Sequence, residues 1–176
     1  SNIARQVISQ IGYDQNAFNS KTCSIITSLR EQPYDGQDFF DEKNLSDEDI
    51  ERIPAKNQVT VFGFACNQTP SLMPLPIWLA HKLSRKLTSA RLQRTLPYLA
   101  PDGKTQVGVE YKGGRPFRIH SLTVIASQNI SASSGGPGMN RLEDDIREAV
   151  INSVFQDEEI KPDNDTRVFV NPDGPF

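Results

Sequence analysis

The chain has 176 residues, of which 36% are hydrophobic and 23% charged, and its formal net charge is −3. This length and apolar content suit one folded domain or two small ones and exclude wholesale disorder. The acidic balance argues against a general nucleic-acid binder, and no apolar run approaches the roughly 18 residues that a membrane span needs. We expect neither a nucleic-acid nor a membrane partner. No secretory leader is visible, so we expect a cytoplasmic protein.

The cysteines and histidines do not form a recognisable metal or catalytic pattern. Cys23 and Cys66 are too few for a disulfide framework or a four-ligand zinc site, and we interpret each as a small buried hydrophobe. His81 and His120 lack ligand spacing and lack a nucleophile at a suitable distance in sequence. We interpret both as packed or surface side chains and expect no metal site within the chain.

The first third of the chain changes composition sharply. Apolar residues at 3, 7, 8 and 11 predict a helix over 3–11, and the β-branched run at 23–29 predicts a strand. Residues 30–56 are acidic and have no sustained period, which predicts a long loop with one helical turn that Ser46 caps ahead of Asp49. Such a loop is either a lid or a solvated acidic linker, and the composition leaves both open.

The rest of the chain alternates strand and helix patterns. The patterns predict a strand over 59–66, a helix over 77–92, a hairpin of strands over 105–111 and 117–127, a helix over 140–155 and a strand over 167–170.

This order is one β-α-β-β-α-β unit, an α+β layer with a mostly antiparallel sheet and both helices on one face. Residues 59–176 are predicted to form the complete unit. Residues 3–58, with the acidic loop at 30–56, are predicted to be part of a second, similar unit. A sheet with only part of its neighbour indicates a fragment or an obligate partner.

Two places carry candidate ligand-binding residues. Asp102 and Lys104 stand just before a strand, where a lysine suits a phosphate and an aspartate can accept hydrogen bonds from sugar hydroxyls. A charged turn leading into a strand would have the same spacing. Phe176 follows a Pro/Gly turn and either stacks on a base or packs against the protein. The glycine-rich residues 133–138 lack the Lys-Ser/Thr of a phosphate-binding loop and indicate a flexible connection.

Eight short stretches, in order and across nearly the whole chain, resemble S-adenosylmethionine synthetases (methionine adenosyltransferases). They are Ile11-Gly-Tyr13, Lys21-Thr-Cys-Ser-Ile-Ile26, Phe62-Gly-Phe-Ala65, Leu72-Met-Pro-Leu-Pro-Ile77, Leu79-Ala-His-Lys-Leu83, Arg94-Thr-Leu-Pro-Tyr98, Pro101-Asp-Gly-Lys-Thr-Gln-Val107 and Phe169-Val-Asn-Pro-Asp-Gly-Pro-Phe176. That family builds each subunit from three similar β-α-β-β-α-β domains, and the motif order places this chain in the middle of a subunit.

The resemblance implies a reaction and roles for named residues. Family enzymes join the sulfur of methionine to the 5′ carbon of ATP with the help of Mg²⁺ and K⁺, in active sites between the two subunits of a homodimer. By resemblance, Lys104 contacts the phosphates, Asp102 lies at the nucleoside, Phe176 stacks on adenine and Gln37 meets methionine. The acidic loop then resembles the family's lid, which would exclude water from the reaction.

The sequence also departs from the family. The Gly-Asp-Gln-Gly stretch reads Lys-Asn-Gln-Val here, so Asn57 replaces a substrate-binding aspartate, and each lost charge-assisted hydrogen bond costs about 1.5–3 kcal/mol. The Gly-Arg-Phe stretch has Pro175 in place of its arginine. The family's His-Pro-Asp-Lys motif, Mg²⁺ ligands, phosphate-binding lysines and glycine-rich loop have no counterpart in the chain.

Two functions follow from this comparison. In the first, the chain forms S-adenosylmethionine as part of a complete enzyme and is inactive alone, as a homodimer or together with a complete synthetase subunit. In the second, it is a regulatory or scaffolding relative that keeps the fold and binds nucleotide weakly or not at all.

Overall fold

A computed structural model gives the fold of this chain. It describes residues 2–13, 18–29, 45–52, 59–129 and 139–174. The chain divides into two compact units, one of Ser24–Gly63 and one that combines Asn2–Cys23 with Phe64–Phe176. The domain boundaries proposed from the sequence stay a prediction.

The larger unit begins with helix α1, Asn2–Ile11, which confirms the predicted first helix. Gly12 ends it at a φ of 103°, and the Gly12 and Tyr13 amides both donate to the carbonyl of Ile8. Arg5 ties the helix to the following segment, because its guanidinium donates to the carbonyl oxygens of Ser20 (2.6 Å) and Cys23 (2.9 Å).

Helix α3 spans Leu75–Leu92, two residues earlier than predicted. Pro74 is the N-cap and Pro76 lies in the first turn, where a missing N–H costs nothing. The side chain of Gln68 accepts a hydrogen bond from the Leu75 amide at 3.0 Å, which satisfies one of the exposed amides at this end. Leu75, Leu79, Leu83 and Leu87 form a buried stripe along the helix, and Leu79 and Leu83 are completely buried.

The sheet has three strands in the described part of the chain: β1 (Leu99–Lys112), β2 (Arg115–Gln128) and β3 (Arg167–Val170), in the order β1-β2-β3. Strands β1 and β2 form the predicted antiparallel hairpin, and β3 pairs parallel to β2. The turn residues Gly113 and Gly114 have φ values of 59° and 77°, which glycine adopts without strain.

The last helical segment has a π-helical centre. Helix α4 (Met139–Ile146) runs into a π-helix (Arg147–Asn152) and then into the short helix α5 (Ser153–Phe155). Its buried apolar residues recur every four positions, at 142, 146, 150 and 154. An α-helix repeats every 3.6 residues, so this spacing drifts around it, and the wider π turn offsets the drift.

Helix α3 and the last helical segment pack with the sheet around a single core, which confirms the α+β fold. Its largest completely buried side chains are Leu79, Leu83, Leu99, Ile119, Leu122, Val124, Leu142, Ile146 and Val150. No helix in the described ranges is long and apolar enough to cross a membrane.

Two predicted strands are wrong. Residues 23–29 and 59–66 do not form strands, although their sequences have the apolar pattern of a strand. A strand needs a hydrogen-bonded neighbour, and the ladder of the sheet ends at β1 and β3. The β-α-β-β-α-β order therefore lacks its first strand in the described part.

The smaller unit contains helix α2, Asp47–Glu51, within the predicted acidic loop. The predicted cap is confirmed, because the Ser46 side chain accepts from the Asp49 amide and the Asp49 carboxylate accepts from the Ser46 amide. Residues 30–44 and 53–56 of the predicted loop, on which the lid and linker interpretations depend, lie outside the described residues.

Candidate functional site

The candidate site lies at the start of β1, where the strand approaches α3 closely. A side chain at Gly103 would place its Cβ 2.7 Å from Cδ2 of Leu87 and 3.2 Å from the carbonyl oxygen of Ile125. Thr105 also faces the helix, because its hydroxyl donates to the carbonyl of Ala80 at 2.8 Å. Since neighbouring side chains alternate between the faces of a strand, Lys104, between Gly103 and Thr105, lies on the face away from α3. Asp102 and Lys104 are both exposed.

The strand is irregular beside Asp102. Between the pairs Leu99↔Gln128 and Gly103↔Ala126, β1 advances four residues while β2 advances two. Such bulges are over-represented next to active sites, where they redirect a side chain. The hydroxyl of Ser127 donates to the Asp102 carbonyl at 2.8 Å and holds this bulge to β2.

The end of β3 lies at the same end of the sheet. Asn171 follows the strand, and its side chain makes two hydrogen bonds to the backbone of Ala126, accepting from the amide at 2.8 Å and donating to the carbonyl at 3.0 Å. Ala126 is the partner of Gly103 on its other side. A single residue of β2 therefore separates the strand that carries Asp102 and Lys104 from the base of the C-terminal segment.

The C-terminal segment turns immediately after this contact. Asn171 has a φ of 43°, which asparagine tolerates better than most residues, and the Gly174 amide donates to the Asn171 carbonyl at 2.9 Å. This turn precedes Phe176, which itself lies outside the described residues.

The remaining candidates are distributed as follows. Gln37, Asn57 and the loop at 133–138 also lie outside the described residues. His81 is an exposed residue of α3, and Nδ1 of His120 lies 3.2 Å from Glu110 Oε1, so both are surface histidines as expected. Both cysteines are free, and each is only partly buried, so the prediction that they are buried is wrong.

The sequence pattern did not single out Tyr13 as a site residue, yet its hydroxyl donates to Oδ1 of Asp102. This hydrogen bond, together with burial, raises the pKa of Tyr13 above its usual value. The hydroxyl therefore stays protonated at neutral pH and acts as the donor. The only signal in the sequence was the resemblance of Ile11-Gly-Tyr13 to the family motif.

A cleft of about 800 Å³ lies beside the π-helix and is not lined by Asp102 or Lys104. The two cations that line it have protein partners: Arg147 pairs with Glu143 at 2.7 Å, and Lys161 donates to the Gln156 carbonyl at 2.7 Å. Both cations of this cleft therefore bind protein groups, whereas no ion pair or hydrogen bond of the Lys104 side chain is found among the described residues.

The described residues do not suit a divalent metal. They contain no group of three or more histidine, cysteine, aspartate or glutamate side chains close enough to hold an ion.

The fold and the site define a class of protein, an α+β domain with an exposed aspartate and an exposed lysine at the start of strand β1. Comparison with known proteins then identifies the family. The family described as S-adenosylmethionine synthetase, central domain, matches residues 52–176. S-adenosylmethionine synthases of Rippkaea orientalis, Microcystis aeruginosa and Trichormus variabilis are 40%, 43% and 44% identical to the chain over 99–100% of its length. The chain belongs to the S-adenosylmethionine synthetase family.

The match covers the chain more completely than it covers the relatives. The chain spans 44% of the length of each of these three relatives.

We predict that Gly103→Ala lowers the free energy of unfolding by about 1–3 kcal/mol, because the added methyl group would displace Cδ2 of Leu87 and make a tight contact with the carbonyl oxygen of Ile125 in β2. The matched control is Gly63→Ala, whose Cβ would meet nothing within 4 Å and should change stability by less than about 0.5 kcal/mol. Denaturant unfolding measures both. Equal effects of the two substitutions would contradict the close approach.

Proposed function

We propose that this chain forms S-adenosylmethionine from ATP and methionine as part of a complete synthetase, and that it is inactive alone. Membership of the family supports the reaction class. The observation that carries the assignment to this chain is the exposed position of Asp102 and Lys104 at the start of β1, one strand away from the segment that leads to Phe176. Sustained turnover by the purified chain would contradict the second part of the proposal.

The proposal gives each side chain a distinct role at the nucleotide. The Lys104 ammonium is an exposed, compact charge that neutralises phosphate oxygens. The Asp102 carboxylate accepts hydrogen bonds from the ribose hydroxyls, while Phe176 stacks on the adenine. Lys104 thus favours the polyphosphate end of ATP and Asp102 the nucleoside end.

Methionine would meet Gln37 and Asn57. Asn57 presents a neutral amide where the family has a carboxylate, so it can accept a hydrogen bond from the methionine ammonium without supplying an opposite charge. Mg²⁺ and K⁺, which the family implies, are not assigned to any described residue. In this proposal the reaction's metal chemistry comes from elsewhere in the complete enzyme.

The smaller unit supports the proposal of a homodimer or of association with a complete subunit. Val59, Val61 and Phe62 are 85%, 80% and 92% exposed. Burying three such side chains is worth several kcal/mol in total, at about 1.5–3 kcal/mol each. Among the residues that the structure describes, this apolar segment belongs neither to the core nor to the sheet, which supports a surface that another chain or segment covers.

The second candidate function is the non-catalytic relative. Asn57 and Pro175 favour it, since each replaces a charged family residue with a neutral one. Nucleotide binding separates the two functions, because the second predicts weak binding or none.

We predict that two substitutions in β1 weaken the affinity for different parts of ATP. Calorimetric titration with adenosine, tripolyphosphate and ATP measures these affinities. Lys104→Met should weaken tripolyphosphate and ATP binding about tenfold or more and leave adenosine binding unchanged, because one charge-assisted contact is lost. Asp102→Asn should weaken adenosine and ATP binding but not tripolyphosphate binding.

Lys112→Met is the matched control for this experiment, since Lys112 is an exposed lysine at the opposite end of β1. It should leave the affinity for all three ligands unchanged. Binding of none of the ligands by the unsubstituted chain would contradict the proposal and favour the non-catalytic relative. Equal losses for Lys112→Met and Lys104→Met would show nonspecific charge attraction instead.

We predict that light scattering gives twice the chain's 19.6 kDa and that Phe62→Ser shifts the equilibrium towards the monomer. The apolar side chain loses its favourable burial in the contact, while the folded monomer loses little because Phe62 is exposed in it. Phe117→Ser, at an exposed phenylalanine of the hairpin, is the control and should not change the mass. A monomer at all concentrations, or an unchanged Phe62→Ser dimer, would contradict this surface.

A further inference from the structure

Asp102 is exposed, yet its carboxylate has a defined orientation. Among the described residues, the carboxylate accepts one hydrogen bond, which the Tyr13 hydroxyl donates to Oδ1. The backbone of Asp102 is held separately, by the hydroxyl of Ser127 at 2.8 Å. Contacts on both backbone and side chain restrict the rotamers of a group that would otherwise turn freely in solvent.

Tyr13 is itself held in place by local contacts. Its ring packs edge-on against Phe18, with the centroids 5.3 Å apart and the planes at 75°. Its carbonyl accepts a hydrogen bond from the Ser20 amide at 3.2 Å, and its own amide caps α1 through Ile8. A rigid donor fixes the group that it binds better than a mobile donor does.

The first helix is not packed into the core, although Gly12 at its end lies close to the side chains of Arg91 and Pro101. Helix α1 has no buried residue, and the hydrogen bonds of Arg5 go to residues 20–23 rather than to the sheet. Tyr13 instead reaches β1 across 89 positions of sequence to one carboxylate oxygen. This arrangement leaves the second oxygen, Oδ2, as the acceptor for a ligand.

We propose that Tyr13 is a positioning residue for nucleoside binding: it holds the Asp102 carboxylate so that Oδ2 faces the sugar hydroxyls. The inference rests on the proposed role of Asp102 at the nucleoside. It adds a residue that precedes the family's central-domain match, which covers residues 52–176. The segment 2–13 then belongs to the nucleotide site through Tyr13, although Tyr13 does not touch the nucleotide.

The test is a double-mutant cycle on adenosine affinity, with the substitutions Tyr13→Phe and Asp102→Ala. Tyr13→Phe alone should weaken adenosine binding about threefold to tenfold, the effect of one lost hydrogen bond, and leave tripolyphosphate binding unchanged. In the Asp102→Ala background, Tyr13→Phe should have no further effect, because the Tyr13 hydroxyl then has no carboxylate to hold. A purely structural role would weaken binding equally in both backgrounds.

Tyr111→Phe is the matched control, since its hydroxyl also bonds a side chain, Gln68, but at the far end of β1. It should leave adenosine affinity unchanged. Unchanged adenosine affinity in Tyr13→Phe, with a loss in Asp102→Asn, would overturn this inference alone. Unchanged affinity in Asp102→Asn would overturn the proposed role of Asp102 as well.

A spectroscopic readout checks the contact without any ligand. Tyrosine ionisation raises absorbance near 295 nm, and the pKa of Tyr13 is raised chiefly by its hydrogen bond to Asp102. Asp102→Asn should therefore shift one tyrosine titration to lower pH, and Tyr13→Phe should remove that titration. A tyrosine titration curve that Asp102→Asn leaves unchanged would overturn the inference, because it would show that the contact is not formed.

Discussion

The two hydrogen bonds between the Asn171 side chain and the backbone of Ala126 set the position of the C-terminal segment beside the candidate site. They extend the pairing of β3 with β2 beyond the end of β3, at a residue whose other neighbour is Gly103. Ala126 is almost completely buried, so loss of either partner would leave a buried polar group unsatisfied. The position of β1 relative to the C-terminal segment depends on this contact.

Helix α3 provides the second constraint on the site. A Cβ at Gly103 would lie 2.7 Å from Cδ2 of Leu87, so glycine permits the close approach of this strand to the helix. Because Gly103 and Thr105 face the helix, Lys104 between them faces away from it and is exposed.

The sequence was informative where structure is local. The hairpin turn and the Ser46 cap are visible in short windows of sequence, and the structure contains both. The helix predicted over 140–155 is also present, but its centre is a π-helix. Alternation at 59–66 predicted a strand, but a pattern specifies a face and not a partner. The Tyr13–Asp102 bond could not be predicted either, since 89 positions separate its two residues.

The central claim is that nucleotide binds at the end of the sheet formed by Asp102, Lys104 and Asn171. Titration of the isotope-labelled chain with ATP, followed by amide chemical shifts, tests it most directly. The account predicts that the shifts cluster at these three residues and at Ser127. Shifts confined instead to the cleft beside the π-helix, at Arg147 and Lys161, would contradict it.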